Sequence, residues 1–435
     1  MDGNATSTTP AGVDRRRFVQ LAALSSAALL AGCRTSDPLA DRQPIKLGYV
    51  SPQSGSLFTF GEADSFVIGS AQETFKDGLE IGGRAYPVEV LVKDSQSDPV
   101  RAGEVARQLI GDDQIHMMLV SSTPETTNPV ADACEQAGVP CLSTATPYQP
   151  WFLARNPAQN PESPRPYQWT WHFFWGLEDL IGVFADMWGQ VENNQVLGGL
   201  WPDDGDGKAF SRGFPAALKP QGYEIVDPGR YRNEKDSFGT EIQRFKDAGA
   251  DIVTGVPVPP DFATFWRQAG EQGYKPKIAT VAKAGLFPAF IEAMGSAAGV
   301  STEVWWSPNH PYTSSLTGAG AADLAEAFTT ATGRQWTQPI GFVHALFEVA
   351  VHVLQRAGDV EDRQAIVDAI EATSLDTIVG RVDWTSKLAD VPNVARTPLV
   401  GGQWRPGKTW PFELEIVSNA TNPEIPATGT LQPIT

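Results

Sequence analysis

The sequence predicts an α/β protein of two lobes, each a parallel sheet flanked by helices, with the chain crossing between the lobes three times. Three observations predict it. After residue 44, short apolar runs of strand type alternate with stretches of helical spacing along most of the chain. The aromatic segment Trp169-Thr170-Trp171-His172-Phe173-Phe174-Trp175 splits that alternation into two series. The 435 residues are 41% hydrophobic, enough apolar material for more than one core at roughly 100–200 residues per domain.

The first series begins with a strand at Ile45–Val50, followed by a helix over 62–76 in which Phe66, Ile68, Ala71 and Phe75 recur at helical spacing. Tyr86–Lys93 is a strand, and Asp98-Pro99, a good cap followed by a good first residue, opens a helix. Met117–Val120 is a strand, a helix starts at Asn128-Pro129, and Val139–Thr144 is a strand again. Residues 146–168 hold six prolines and read as a long loop. The second series runs through strands at 196–200, 224–226, 251–256 and 278–281, with helices at 177–188, 209–218, 238–247, 262–272 and 287–293. Trp305 and Trp306 mark a return crossing; helices follow at 320–333, 340–357 and 363–373, then short edge elements at 379–384 and 402–404. This divides the chain into a leader (1–32), a tether (33–44), lobe one (45–168 and 308–380), lobe two (175–304 and 381–417) and an irregular tail (418–435). The crossings are placed near Trp169–Trp175, Trp305–His310 and Gly380–Val394.

Charge narrows the function. Lys and Arg number 33 and Asp and Glu 51, a net charge of −18, which argues against nucleic acid as a partner, since phosphate neutralisation needs clustered cations. No uninterrupted apolar run of 18 residues occurs, so no ordinary membrane span is expected. The leader has the plan of a secretory signal: Arg15, Arg16 and Arg17, an apolar stretch from Leu21 to Ala31, and small residues before Cys33. The arginines followed by Phe18 resemble the twin-arginine export motif, although Val19 and Gln20 depart from it, and Leu30-Ala31-Gly32-Cys33 resembles a lipobox, which implies a lipidated Cys33. Cys134 and Cys141 lie across a helix end and a strand start; a disulfide and two buried thiols are both open.

Several motifs resemble those of extracytoplasmic solute-binding proteins of the Leu/Ile/Val-binding type. Ile45-Lys46-Leu47-Gly48 leads to Ser51-Pro52 and Ser54-Gly55; Gly82-Gly83-Arg84 precedes a strand; Asp94, Ser97-Asp98-Pro99 and Ala102 match a D-x-x-S-D-P-x-x-A pattern. Gly138-Val139-Pro140 precedes Ser143-Thr144, and Phe245-Lys246 with Ala248-Gly249-Ala250-Asp251 resembles a segment of the second lobe. The resemblance implies the type I periplasmic fold, which closes on a small solute and hands it to the permease of an ABC importer. It implies a carboxylate clamp at Ser121, Ser122, Thr144 and Thr146, with Thr123 beside them. A same-fold sensor for a membrane signalling protein is the alternative, and an exported enzyme a remoter one.

Open parallel sheets place ligands beyond the carboxyl ends of their strands, and in the first series those ends carry these hydroxyls. Phe60, Trp175, Val256, Pro257 and Lys283 complete the expected cleft. In amino-acid receptors of this type an acidic residue meets the ligand's ammonium after the fourth strand of lobe two. Here that stretch reads Thr280-Val281-Ala282-Lys283-Ala284-Gly285, with no carboxylate and a lysine that attracts anions. The expected solute is therefore carboxylate-bearing or aromatic. The receptor is expected to be a monomer held to a membrane only by its lipid, with no cofactor. His344, Glu348 and His352 share a helix face but sit in an apolar segment, which favours a structural pair over a metal site. Pro202–Gly207 fails as a calcium loop and reads as a turn at the cleft rim.

Overall fold

A computed structural model describes residues 39, 42–155, 163–295, 299–386 and 391–434. The leader, the twin arginines and Cys33 lie outside the described residues. The chain divides into Met1–Arg42 and Gln43–Thr435, and the architecture is that of the second unit.

The chain enters at β1 (Ile45–Ser51), α1 (Asp64–Thr74), the hairpin β2 (Leu79–Ile81) and β3 (Arg84–Tyr86), then β4 (Val88–Asp94) and α2 (Pro99–Gly111). Asp98 caps α2 by accepting from the Arg101 N–H, as its Asp-Pro start predicts. Then come β5 (Met117–Ser121), α3 (Pro124–Ala137), β6 (Cys141–Thr144), α4 (Tyr148–Phe152) and β7 (Thr170–Phe173). The second lobe follows with α5 (Leu177–Trp188), β8 (Val196–Leu200), α6 (Gly205–Leu218), β9 (Glu224–Val226), α7 (Gly239–Asp247), β10 (Ile252–Gly255), α8 (Pro259–Glu271), β11 (Ile278–Val281), α9 (Pro288–Met294) and β12 (Ser301–Val304). The chain returns through α10 (Ala321–Thr332), α11 (Pro339–Ala357), α12 (Arg363–Glu371), β13 (Ser374–Thr377), β14 (Gly380–Asp383) and β15 (Val394–Ala395), and ends with β16 (Val400–Pro406) and β17 (Phe412–Ser418).

The first sheet has the order β15-β7-β6-β5-β1-β4 and is parallel throughout. The second has the order β17-β16-β12-β11-β10-β8-β9; its first five strands in sequence are parallel, and β16 and β17 add an antiparallel edge. Lobe two is thus a parallel sheet with an antiparallel edge. α11 is buried along most of its length, from Pro339 to Leu354.

Four expectations change. α3 begins at Pro124, five residues before the expected start, because Pro124 sits in the first turn where its missing N–H costs no bond; Pro129 is inside the helix. The proline-rich stretch contains α4. The third crossing lies after Ala395: β15 pairs with β7, Val394 opposite His172, so β15 belongs to the first sheet instead of joining lobe two. The antiparallel pair of β13 and β14 is tied to α11, where Glu348 accepts from the Ile378 N–H at 3.0 Å. Cys134 and Cys141 are both free and buried in one cluster with Val130 and Val139, so the disulfide reading gives way to the thiol reading. Burial, with a contact from Cys141, pushes the Cys134 thiol well above its ordinary range. His344 and Glu348 act structurally: His344 Nε2 meets Ser314 Oγ at 2.7 Å, and Glu348 accepts from Ser315.

Candidate functional site

The carboxyl ends of the two sheets face each other across a narrow cavity of about 20 Å³, the size of one water, so the lobes are closed on each other. Of the residues named for the cleft, Phe60, Thr123, Trp175, Val256 and Lys283 line it. Ala145, Pro147, Phe174, Asp206, Phe210, Leu286, Glu303 and Trp305 line it as well. Pro257 is buried nearby without lining the cavity.

On the first lobe, β5 delivers Ser121, and the chain turns through Ser122 and Thr123 into α3. Thr123 is the N-cap of α3, yet its hydroxyl makes no capping bond. Ser121 Oγ, Ser122 Oγ and Thr123 Oγ1 are all buried without a hydrogen-bond partner. Buried polar atoms are normally satisfied, so three together at a strand end mark a place for outside acceptors or donors. Thr144 and Thr146 differ. Thr144 Oγ1 donates to the Phe173 carbonyl at 2.7 Å, and Thr146 Oγ1 to the Ser122 carbonyl at 2.6 Å. Their hydroxyl protons hold the strand ends together, and neither residue lines the cavity; of the Ser121–Thr123 turn, Thr123 lines it.

The aromatic wall is a continuous packing. Phe174 lies 4.7 Å from Trp175 and 5.1 Å from Trp305, and Phe60 meets Phe287 edge-on at 5.0 Å from the other side. The indole Nε1 atoms of Trp175 and Trp305 are buried without a partner.

The second lobe overturns the expectation of a carboxylate-free wall. Asp204 caps α6, accepting from the Gly207 N–H at 2.8 Å, and so brings Asp206 into the cleft. The expected rim turn is in fact this helix start. Lys283 Nζ stands 2.7 Å from Asp206, 3.3 Å from Asp204 and 3.8 Å from Glu125 of the first lobe. Burial pulls the lysine pKa down, but the three carboxylates outweigh it and hold it well above the ordinary value. Lys283 is therefore a neutralised cation, and the expectation that it draws in an anion fails. Burial lifts Asp206 to about 7 against the pull of Lys283, and lifts Glu303 to about 8. The closeness of Val256 to the cavity depends on Gly255: at φ +147° a Cβ there would come within 2.2 Å of the Leu200 carbonyl oxygen.

Asp206 and Glu303 line the site without having been singled out as ligand residues. The strand-end rule applied to β8 points to Asp206, and applied to β12 it points to Trp305.

Two parallel-sheet lobes closing on unsatisfied buried polar groups define a solute-binding receptor by architecture. The chain belongs to the periplasmic binding protein family, whose model matches residues 44–402. It is 24% identical over 402 residues, 89% of this chain and 94% of the relative, to the Leu/Ile/Val-binding protein homolog 7 of Brucella melitensis. Its fold is that of type I periplasmic binding proteins. The branched-chain amino acid transporter substrate-binding protein LivJ of Streptococcus pneumoniae, in complex with isoleucine, superposes with a TM-score of 0.70 at 16% identity, covering 86% of this chain and 100% of that one. A solute-binding protein of an ABC transporter from Rhodopseudomonas palustris, in complex with 4-hydroxybenzoate, superposes with a TM-score of 0.69 at 15% identity, covering 86% and 96%.

Proposed function

We propose that this protein captures a carboxylate-bearing solute with a flat or apolar body and delivers it to the permease of an ABC importer. In this reading it acts outside the cytoplasm as a monomer, anchored through a lipid on Cys33, with no cofactor and no chemistry of its own. The carrying observation is the set of unpartnered buried donors lining one cavity, the hydroxyl of Thr123 and the indole N–H groups of Trp175 and Trp305, with the unpartnered hydroxyls of Ser121 and Ser122 next to Thr123 in the same turn. Three such donors at the cavity ask for acceptors, and a carboxylate supplies several at once. Glu303, held near about 8, is a carboxylic acid at neutral pH and can donate as well. The aromatic wall suits a flat body. The structural neighbour holding 4-hydroxybenzoate, and another from Rhodopseudomonas palustris holding 3,4-dihydroxybenzoic acid, make aromatic acids the first solutes to try.

Binding proceeds by hinge closure. A cavity of about 20 Å³ admits no such solute, so the lobes open by rotation at the three crossings. The solute docks on the Ser121–Thr123 turn, and closure adds Val256 and the aromatic wall. The closed form gains only what the solute's preference for it supplies.

Calorimetry and thermal shift with 4-hydroxybenzoate, 3,4-dihydroxybenzoate, leucine and isoleucine test this reading. The aromatic acids are expected to bind and raise the melting temperature. Thr123→Ala weakens that binding about tenfold, the loss of roughly one hydrogen bond, and leaves the empty protein's melting unchanged. Tight leucine or isoleucine binding with none for the acids sinks it.

A further inference from the structure

Lys283 follows β11, at the edge where a parallel sheet presents its ligands. It is the centre of a tight turn: the Ala284 N–H donates to the Ala282 carbonyl at 2.6 Å, and Lys283 has φ 57° and ψ −68°. That is the strained γ-turn, which a residue with a Cβ adopts rarely and only where its surroundings enforce it. Strain of this kind gathers at binding sites. The side chain is 6% exposed, and its ammonium is ringed by Asp206, Asp204 and Glu125. The Lys283 N–H meets Glu303 Oε1 at 3.4 Å. Asp206 keeps its second oxygen, Oδ1, buried without a partner. The carboxylates outnumber the one cation they surround, and they lie on both lobes. An amine-bearing solute entering this cleft would set its ammonium in the same ring.

We propose that Lys283 is a tethered ammonium: it occupies the cation seat of the cleft and makes the receptor select solutes that lack an amine. The proposal rests on the reading of the cleft as a solute site and names the residue that sets its specificity. The tether gives Lys283 a high effective concentration at the carboxylates, so a free amine competes at a disadvantage. An amine that reached the cleft beside Lys283 would also meet a like charge with little water between.

The test removes the cation and adds it back. Lys283→Ala keeps the carboxylate ring and opens space for a short alkylammonium. Thermal unfolding is measured for the wild type and the variant in n-butylammonium chloride, with tetramethylammonium chloride at equal ionic strength as control. Butylammonium is expected to raise the melting temperature of Lys283→Ala by about 2 °C or more over the control and to leave the wild type unmoved. Should the variant fail to fold, its refolding yield with and without butylammonium gives the same reading, and recovery by the amine supports the proposal. Absence of both effects overturns it, as does an equal effect in the Lys283→Ala/Asp206→Asn double variant. Because butylammonium stands in for no solute, failure here leaves solute binding untouched, and failure of the aromatic acids to bind leaves the amine seat standing.

Discussion

Asp64 shows how one buried carboxyl sets a pH response. It is the first residue of α1, fully buried, and accepts from Tyr49 OH at 2.9 Å and from Ser51 Oγ. Burial lifts its pKa to about 7, against the two hydrogen bonds. The folded value lies above the unfolded one, so its stabilisation is complete below about pH 4 and is lost as the pH rises through about 7. Asp64→Asn keeps the shape and removes the ionisation. In urea titrations at pH 5 and pH 7, the stability of the wild type relative to Asp64→Asn is expected to fall by about 2 kcal/mol between the two. Parallel behaviour at both pH values refutes it. At this scale the sequence was only half legible. Ser121, Ser122 and Thr123 stand out because hydroxyls at a strand end are sparse and placed by topology. Asp206 and Glu303 do not, because among 51 acidic residues no local feature separates a buried carboxylate from a solvated one. The partners of Lys283 come from β8, β12 and α3 surroundings that lie far from it in sequence, and that convergence is tertiary.

Among the elements, amphipathic helices and apolar parallel strands were readable to within a few residues because their periodicity is the burial pattern itself. The failures have particular causes. β12 reads Ser-Thr-Glu-Val, polar yet wholly buried, so hydropathy passes over it. α3 contains two prolines, Pro124 and Pro129, each a fair helix start by its sequence, and the helix uses the first. β17 alternates Phe412, Leu414 and Ile416, a strand signal hidden by its neighbouring irregular tail. α11 carries a subtler constraint. Gly341 faces Trp306, and a Cβ there would come within 2.3 Å of the indole. Trp306 is fully buried and has nowhere to withdraw. Gly341→Ala is therefore expected to lower stability by about 1–3 kcal/mol, overpacking outweighing the better helix propensity of alanine. A urea midpoint equal to or above the wild type contradicts this.

At the scale of the whole molecule, direct bonds join the two lobes. Glu125 of the first lobe accepts from the Gly205 N–H at 3.0 Å and stands 3.8 Å from Lys283, both on the second lobe. Tyr148 OH donates to Glu178 at 2.6 Å across the same divide. Such bonds give the empty closed form a share of the population and subtract from the free energy a solute gains by closing it. Glu125→Ala is expected to open the solute-free protein, read as a larger radius of gyration in small-angle X-ray scattering. An unchanged radius would mean that the crossings, and not this contact, set the angle between the lobes.

α11 has one more consequence. Residues 339–357 are long and apolar enough to span a bilayer, and 78% of the most apolar window is buried inside the body. An unfolded chain exposes this apolar segment, interrupted by His344, Glu348 and His352, to whatever surface it meets. A chain that folds first keeps it hidden.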